Sequence, residues 1–135
     1  KQTAQIILKE HDVLLHEDER LKEVNFGVLE GLPCSFVDTL HLESPSWLDD
    51  LEMDYTSYQG ENIDDVIIRQ QKVLKEIEKI SNEEDCIVVV GHGCSLYALI
   101  KTLLKDEKIA FPGNASAYIL CKKNNEYKLE KYLRL

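Results

Sequence analysis

The chain has 135 residues, enough for one domain with a sizeable core. Its 44% hydrophobic and 30% charged composition is that of a globular protein, and 25 acidic against 16 basic residues give a net charge of -9. That balance excludes a nucleic-acid or anionic-membrane surface as the main partner, and no apolar stretch approaches the length of a membrane span. The chain opens on Gln2-Thr3-Ala4-Gln5-Ile6-Ile7-Leu8-Lys9-Glu10, a helical pattern without a capping residue, so the sequence is expected to start inside an element and to be truncated at its N-terminus. Val13-Leu14-Leu15 predicts a short strand and the charged His16–Leu21 an edge or loop segment. Lys22 to Gly31 fits neither the helical nor the strand period and reads as a loop punctuated by Gly27 and Gly31.

From Cys34 to Tyr58 short helical pieces, broken by Ser44-Pro45-Ser46 and containing Trp47, predict an inserted cover over one side of a single domain spanning 1–135. Gly60-Glu61-Asn62-Ile63 begins the clearest helix, with Asn62 as N-cap, acids in the first turn, and an apolar stripe of Ile63, Val66, Ile67, Val73, Leu74, Ile77 and Ile80. Cys86 to Val90 is a continuous apolar run, the signature of a parallel strand covered on both faces. A second helix follows from Ser95 to about Lys105, with Leu96, Leu99, Ile100, Leu103 and Leu104 on one face. Phe111-Pro112-Gly113-Asn114 is a turn, and Ala115–Lys122 and Glu126–Leu133 form a hairpin around Asn124-Asn125. Strands separated by helices and closed by an antiparallel pair predict an α/β three-layer sandwich with a mostly parallel sheet.

Chemistry concentrates at Gly91-His92-Gly93. His92 follows the predicted strand and precedes a helix whose unpaired first N–H groups attract anions, and ligands of open α/β sheets bind at such positions. On the motif alone a tight turn is an equal alternative, with the glycines serving only to let the backbone turn. Cys34, Cys86, Cys94 and Cys121 lack the close pairs of a zinc site, so reduced thiols in a cytoplasmic protein are expected. Cys94 reads as a small packing residue or as a reactive thiol at a helix N-terminus.

Taken in order, Gln2-Thr3-Ala4, Arg20-Leu21-Lys22-Glu23 with Phe26-Gly27 and Glu30-Gly31, Gly60-Glu61, Gly91-His92-Gly93 and Asn114-Ala115-Ser116 resemble the landmarks of the histidine phosphatase, or phosphoglycerate mutase-like, superfamily. The resemblance implies phosphomonoester hydrolysis through a phosphohistidine, without a metal or other cofactor, on a small phosphorylated substrate. It implies that His92 and the Gly93 N–H hold the phosphoryl oxygens and that Glu23 is the acid for the leaving alcohol and then the base for water. Arg20, Glu61 and Asn114 are possible supporting residues, with ordinary readings beside them: Arg20 orients Glu23 or is a surface charge, Glu61 is a first-turn helix acid, and Asn114 a turn residue.

The family's attacking His stands in an Arg-His-Gly motif on its first strand, which none of His11, His16 and His41 matches, so the nucleophile is expected to be missing from this chain. The absent strand would leave a gap to be closed by a strand-exchanged second copy, a retained N-terminal peptide or a rearranged local segment. Val24-Asn25 replaces the Arg-His of the mutase branch, which favours a hydrolase. The alternatives are a non-catalytic domain that binds a phosphorylated ligand or a protein partner, and a phosphoglycerate mutase.

Overall fold

A computed structural model of the chain describes residues 1–40, 48, 50–105 and 108–134. The opening helical pattern divides into α1, Gln2–Ile7, and a 3-10 turn, Leu8–Glu10. In the cover, α2 is Cys34–Leu40, while Ser44 to Trp47 lie outside the described residues. Next, α3 is Ile63–Ile80, with the Asn62 side chain accepting from the Asp64 N–H at 2.8 Å as its N-cap. Gly93–Leu104 forms α4, starting two residues earlier than the apolar period suggests. The hairpin is β1, Ser116–Lys123, paired antiparallel with β2, Glu126–Arg134.

The two-residue connection of the hairpin, Asn124-Asn125, has both residues at positive φ, 51° and 66°, the handedness that matches the twist of paired strands. The register shifts between Ile119 and Leu120, where two neighbouring β1 residues face Lys131 and Leu129, leaving Glu130 as the extra residue of a bulge. On α3, Glu78 accepts from the Tyr127 hydroxyl at 2.5 Å and pairs with Lys122 at 2.7 Å, which fastens the hairpin to that helix.

The parallel sheet expected from the apolar runs is not formed among the described residues, whose strands are β1 and β2 alone. Val13–Leu15 and Cys86–Val90 carry no regular secondary structure, and no backbone hydrogen bond among the described residues falls on either run. A strand exists only where a neighbour supplies the ladder, and here none does. The apolar side chains are correspondingly uncovered: Leu14 is 82% exposed and Val88 65%.

The core lies instead where the loop after Glu23 meets α3 and α4. Val24, Leu29, Met53, Tyr55, Ile63, Val66, Ile67 and Ala98 form one buried cluster, with Phe26 packed against it and its ring centroid 4.9 Å from that of Tyr55. Each fully buried aliphatic side chain of this kind contributes about 1.5–3 kcal/mol. The α3 stripe is buried at Ile63, Val66, Ile67 and Val73, with Gln70 buried among them, but Ile80 at the far end is exposed. On α4 the buried positions are Ser95, Tyr97, Ala98, Leu99, Ile100 and Leu104, so Tyr97 and Ala98 take the place that the apolar period gives to Leu96 and Leu103.

Two loops interlock beside this core. Residues 53–55 run antiparallel to 61–63, with Tyr55 N–H donating to the Glu61 carbonyl at 3.1 Å and Ile63 N–H to the Met53 carbonyl at 2.8 Å. Against this clip lies Gly27 at φ 61°, where an added Cβ would stand 1.9 Å from the Tyr58 carbonyl oxygen. Gly31, also left-handed at φ 81°, has nothing within 4 Å of that position. Gly31→Ala is therefore expected to cost about 1 kcal/mol from backbone strain alone, and Gly27→Ala at least about 2 kcal/mol because strain and collision add. Chemical denaturation of the two variants checks this, and equal losses would contradict the close approach.

Candidate active site

The start of α4 is built around a carboxylate. His92 is the N-cap residue, in extended conformation at φ -124° and ψ 169°, and its carbonyl accepts the Leu96 N–H at 3.0 Å. Neither Gly91 nor Gly93 adopts a positive φ, so the turn they flank is not a left-handed one. What Gly91 provides is room, since an added Cβ would meet Leu96 Cδ1 at 2.6 Å.

The first amides of a helix have no partner within it and carry the positive end of its dipole. Here Glu23 takes them: Oε2 accepts from the Cys94 N–H at 3.1 Å and Oε1 from the Ser95 N–H at 2.7 Å. Oε1 also accepts from the Val24 N–H at 3.0 Å. The anion seat expected at this helix terminus is thus occupied by the protein's own Glu23. The Gly93 N–H, the donor that the resemblance assigns to phosphate, is not one of these three. A Cβ on Gly93 would lie 3.9 Å from Glu23 Oε2 and 3.5 Å from the Phe111 ring, which places Glu23 and Phe111 against the residue after His92. His92 itself is exposed.

Glu23 is held there because Val24, its neighbour, is 2% exposed in the core and because the flanking backbone is gripped by Arg69 of α3. The Arg69 Nη1 donates to the carbonyls of Arg20 at 2.5 Å and Lys22 at 2.9 Å, and Nη2 to that of Glu23 at 2.9 Å. Its Nε and Nη2 also form a two-point ion pair with the Glu61 carboxylate, both at 3.0 Å. Glu61 accepts in addition from the Asn25 N–H at 2.9 Å. Glu61 is therefore not a first-turn helix acid, since α3 begins two residues later with Asp64 and Asp65 in that role. Burial pushes the Glu61 carboxyl up, but the Arg69 fork and the Asn25 N–H outweigh it, and its pKa is lowered.

Arg20 is engaged elsewhere. Its guanidinium bonds Asp18, at 2.6 Å from Nη2, and Glu76 of α3, at 2.9 and 2.6 Å, so it pins the 3-10 turn Glu19–Leu21 to the helix. The side chain that could have oriented Glu23 is spent on this pairing, and only the Arg20 carbonyl belongs to the Arg69 cluster. Asn114 is exposed in the turn before β1.

An open cleft of about 620 Å³ is lined by His92 and Glu23 together with Glu19, Arg20, Lys22 and Glu61, among others. Glu23 and His92 are thus brought to one cleft, and Glu61 and Arg20 line it through the contacts above, whereas Asn114 is not among the residues that line it. Arg69, also in the lining, was not apparent from the sequence. No sequence signal marks it, because Glu61 lies ahead of α3 and the other acceptors are main-chain carbonyls.

The sequence profile of the histidine phosphatase superfamily (branch 1) matches residues 1–133, and the chain belongs to that superfamily. The fold agrees: the chain superposes on a mycobacterial glucosyl-3-phosphoglycerate phosphatase, solved in complex with VO3, with a TM-score of 0.76 and 25% identity. That match covers 95% of this chain and 67% of the other. No curated protein sequence matches the chain. Among the described residues no helix is long and apolar enough to cross a membrane.

A carboxyl whose pKa is lower in the folded than in the unfolded chain stabilises the fold fully above the unfolded value and loses that contribution as pH falls through the folded one. The stability gap between wild type and Glu61→Gln is therefore expected to be widest at neutral pH and to close as pH falls below the ordinary carboxyl value of 4.5. Urea midpoints measured across this range check it, and a gap independent of pH would contradict the Arg69–Glu61 linkage.

Proposed function

We propose that the chain carries the acid and part of the anion-holding half of a phosphomonoesterase that works through a phosphohistidine, the attacking His lying outside these 135 residues. The reading rests on one observation above others: the carboxylate of Glu23 reaches across 71 residues of sequence to the α4 amide two positions after His92. An acid and a His that faces the same cleft are what ester cleavage at phosphorus requires.

In the first step a nitrogen–phosphorus bond forms as the ester P–O bond breaks, with His92 and the Gly93 N–H stabilising charge on the phosphoryl oxygens. The departing alkoxide takes its proton from Glu23. In the second step the Glu23 carboxylate accepts a proton from water as the water oxygen attacks phosphorus and the nitrogen–phosphorus bond breaks.

Hydrolysis is preferred to phosphoryl transfer between positions of one substrate because the residues after Glu23 offer no second cationic grip. Val24 is buried in the core. Asn25 is bound into the loop through its N–H on Glu61 and its Oδ1, which accepts the Gly27 N–H at 2.8 Å. The relative of known structure is named as a glucosyl-3-phosphoglycerate phosphatase, and a small phosphomonoester is the corresponding substrate class here.

A second reading, a non-catalytic domain that binds a protein partner, is favoured by the charge of the cleft, which offers a phosphate little free cation. Glu19, Glu23, Glu30 and Glu61 face only Arg20, Lys22, Arg69 and His92, and both guanidinium groups are already paired with carboxylates.

Steady-state hydrolysis by the natural protein separates the two. His92→Ala is expected to lower turnover of an aryl phosphate by about 10²-fold or more, the usual loss of one preorganised charge-stabilising donor. Glu23→Gln is expected to slow an alkyl phosphate more than an aryl one, because a good leaving group needs less protonation. Near-native turnover without His92, or equal losses on both esters without Glu23, would overturn the catalytic reading. Absence of both phosphate binding and turnover in the natural protein would favour the second.

A further inference from the structure

A guanidinium has five N–H donors and no acceptor. In Arg69 all five are matched: one from Nε to Glu61 Oε1, two from Nη1 to the carbonyls of Arg20 and Lys22, and two from Nη2 to the Glu23 carbonyl and Glu61 Oε2. Although Arg69 lines the cleft, it has no donor left for a phosphoryl oxygen, and a role as a substrate clamp is closed to it.

Three of its five acceptors are main-chain carbonyls within a four-residue span, and the last of them belongs to Glu23. The side chain of the same Glu23 points the other way, onto the Cys94 and Ser95 amides. Beyond it, the Glu61 carboxylate that completes the Arg69 pair accepts the Asn25 N–H, and the Asn25 carbonyl accepts the Glu61 N–H at 2.8 Å. The Arg69–Glu61 pair thus holds the backbone on both sides of Glu23. The side chain of Arg69 is 18% exposed, so little solvent competes for these bonds.

We infer that Arg69 is the positioning residue of the site, setting where the Glu23 carboxylate meets the N-terminus of α4 by clamping the carbonyls of residues 20, 22 and 23. Lysine cannot replace it, because a single ammonium offers three donors from one point and cannot satisfy five acceptors spread over a plane. The consequence for turnover rests on the catalytic reading proposed above, whereas the consequence for the Glu23 seat does not.

The test uses Arg69→Met and Arg69→Lys in the natural protein, with two readouts. In the first, amide hydrogen exchange at Cys94 and Ser95 is compared with that at Leu99 and Ile100 in the same helix. Loss of the Glu23 seat is expected to speed exchange at Cys94 and Ser95 by about tenfold or more in both variants, with Leu99 and Ile100 changed far less. Unaltered protection at Cys94 and Ser95 in either folded variant, or a uniform loss along α4, would overturn the inference; if Arg69→Met does not fold, Arg69→Lys decides it.

In the second readout, kcat is expected to fall about tenfold more for an alkyl than for an aryl phosphate, with KM little changed, and to fall little further when Arg69→Met is added to Glu23→Gln. Equal losses on the two esters, or fully additive ones, would assign Arg69 a merely structural part. If Glu23→Gln itself shows no dependence on the leaving group, the catalytic reading fails, and the exchange measurement still decides the positioning role.

Discussion

The first-turn amides of α4 find no partner inside the helix, and the carboxylate of Glu23 meets that need. A charged acceptor at this end satisfies two orphan donors and the local dipole together, which makes the contact stronger than a neutral hydrogen bond. Because the donor and acceptor lie 71 residues apart, the bond also fixes where the loop after residue 20 sits relative to α4. Burial of Val24 and Leu29 beside Val66 and Ala98 then follows, since these side chains can fill the space between α3 and α4 only when the loop is drawn across it.

This arrangement divides labour among the charged residues in a way their types alone do not reveal. Arg20 and Arg69 both line the cleft, yet one fastens a surface turn to Glu76 and the other collects carbonyls from the interior of a loop. The distinction matters because a guanidinium on an exposed pair contributes little, whereas one shielded from water and bonded through every donor resists rearrangement. Glu61 and Glu23 differ in the same sense: the first is matched by a cation, the second by main-chain amides.

How far the sequence carries depends on whether the determining contacts are local. Asn62 as a cap, the buried α3 stripe through Val73 and the Asn-Asn hairpin are all specified by residues within a few positions of one another, and they are read correctly. The apolar runs at 13–15 and 86–90 have the composition of strands, but composition does not supply a ladder partner, and without one they remain irregular. At the site, the motif around His92 and the acid at Glu23 can be picked out as separate landmarks of the superfamily. Their meeting across α4 cannot, and neither can the role of Arg69, because its partners are backbone carbonyls that carry no sequence signature. The alternative of Glu61 as a first-turn helix acid fails for the same reason: its charge suits a helix start, while its partners are Arg69 and the Asn25 amide.

The uncovered run ahead of His92 bears on solubility. Cys86-Ile87-Val88-Val89-Val90 is uncharged, rich in β-branched residues, and free of proline, the composition of segments that stack into intermolecular sheets when their main chain is open. Immediately before it stand Glu83, Glu84 and Asp85, all exposed, whose repulsion between neighbouring copies opposes in-register stacking. The acidic surplus of the chain therefore has a local use at this place, as a gatekeeper beside the segment from which the site loop hangs.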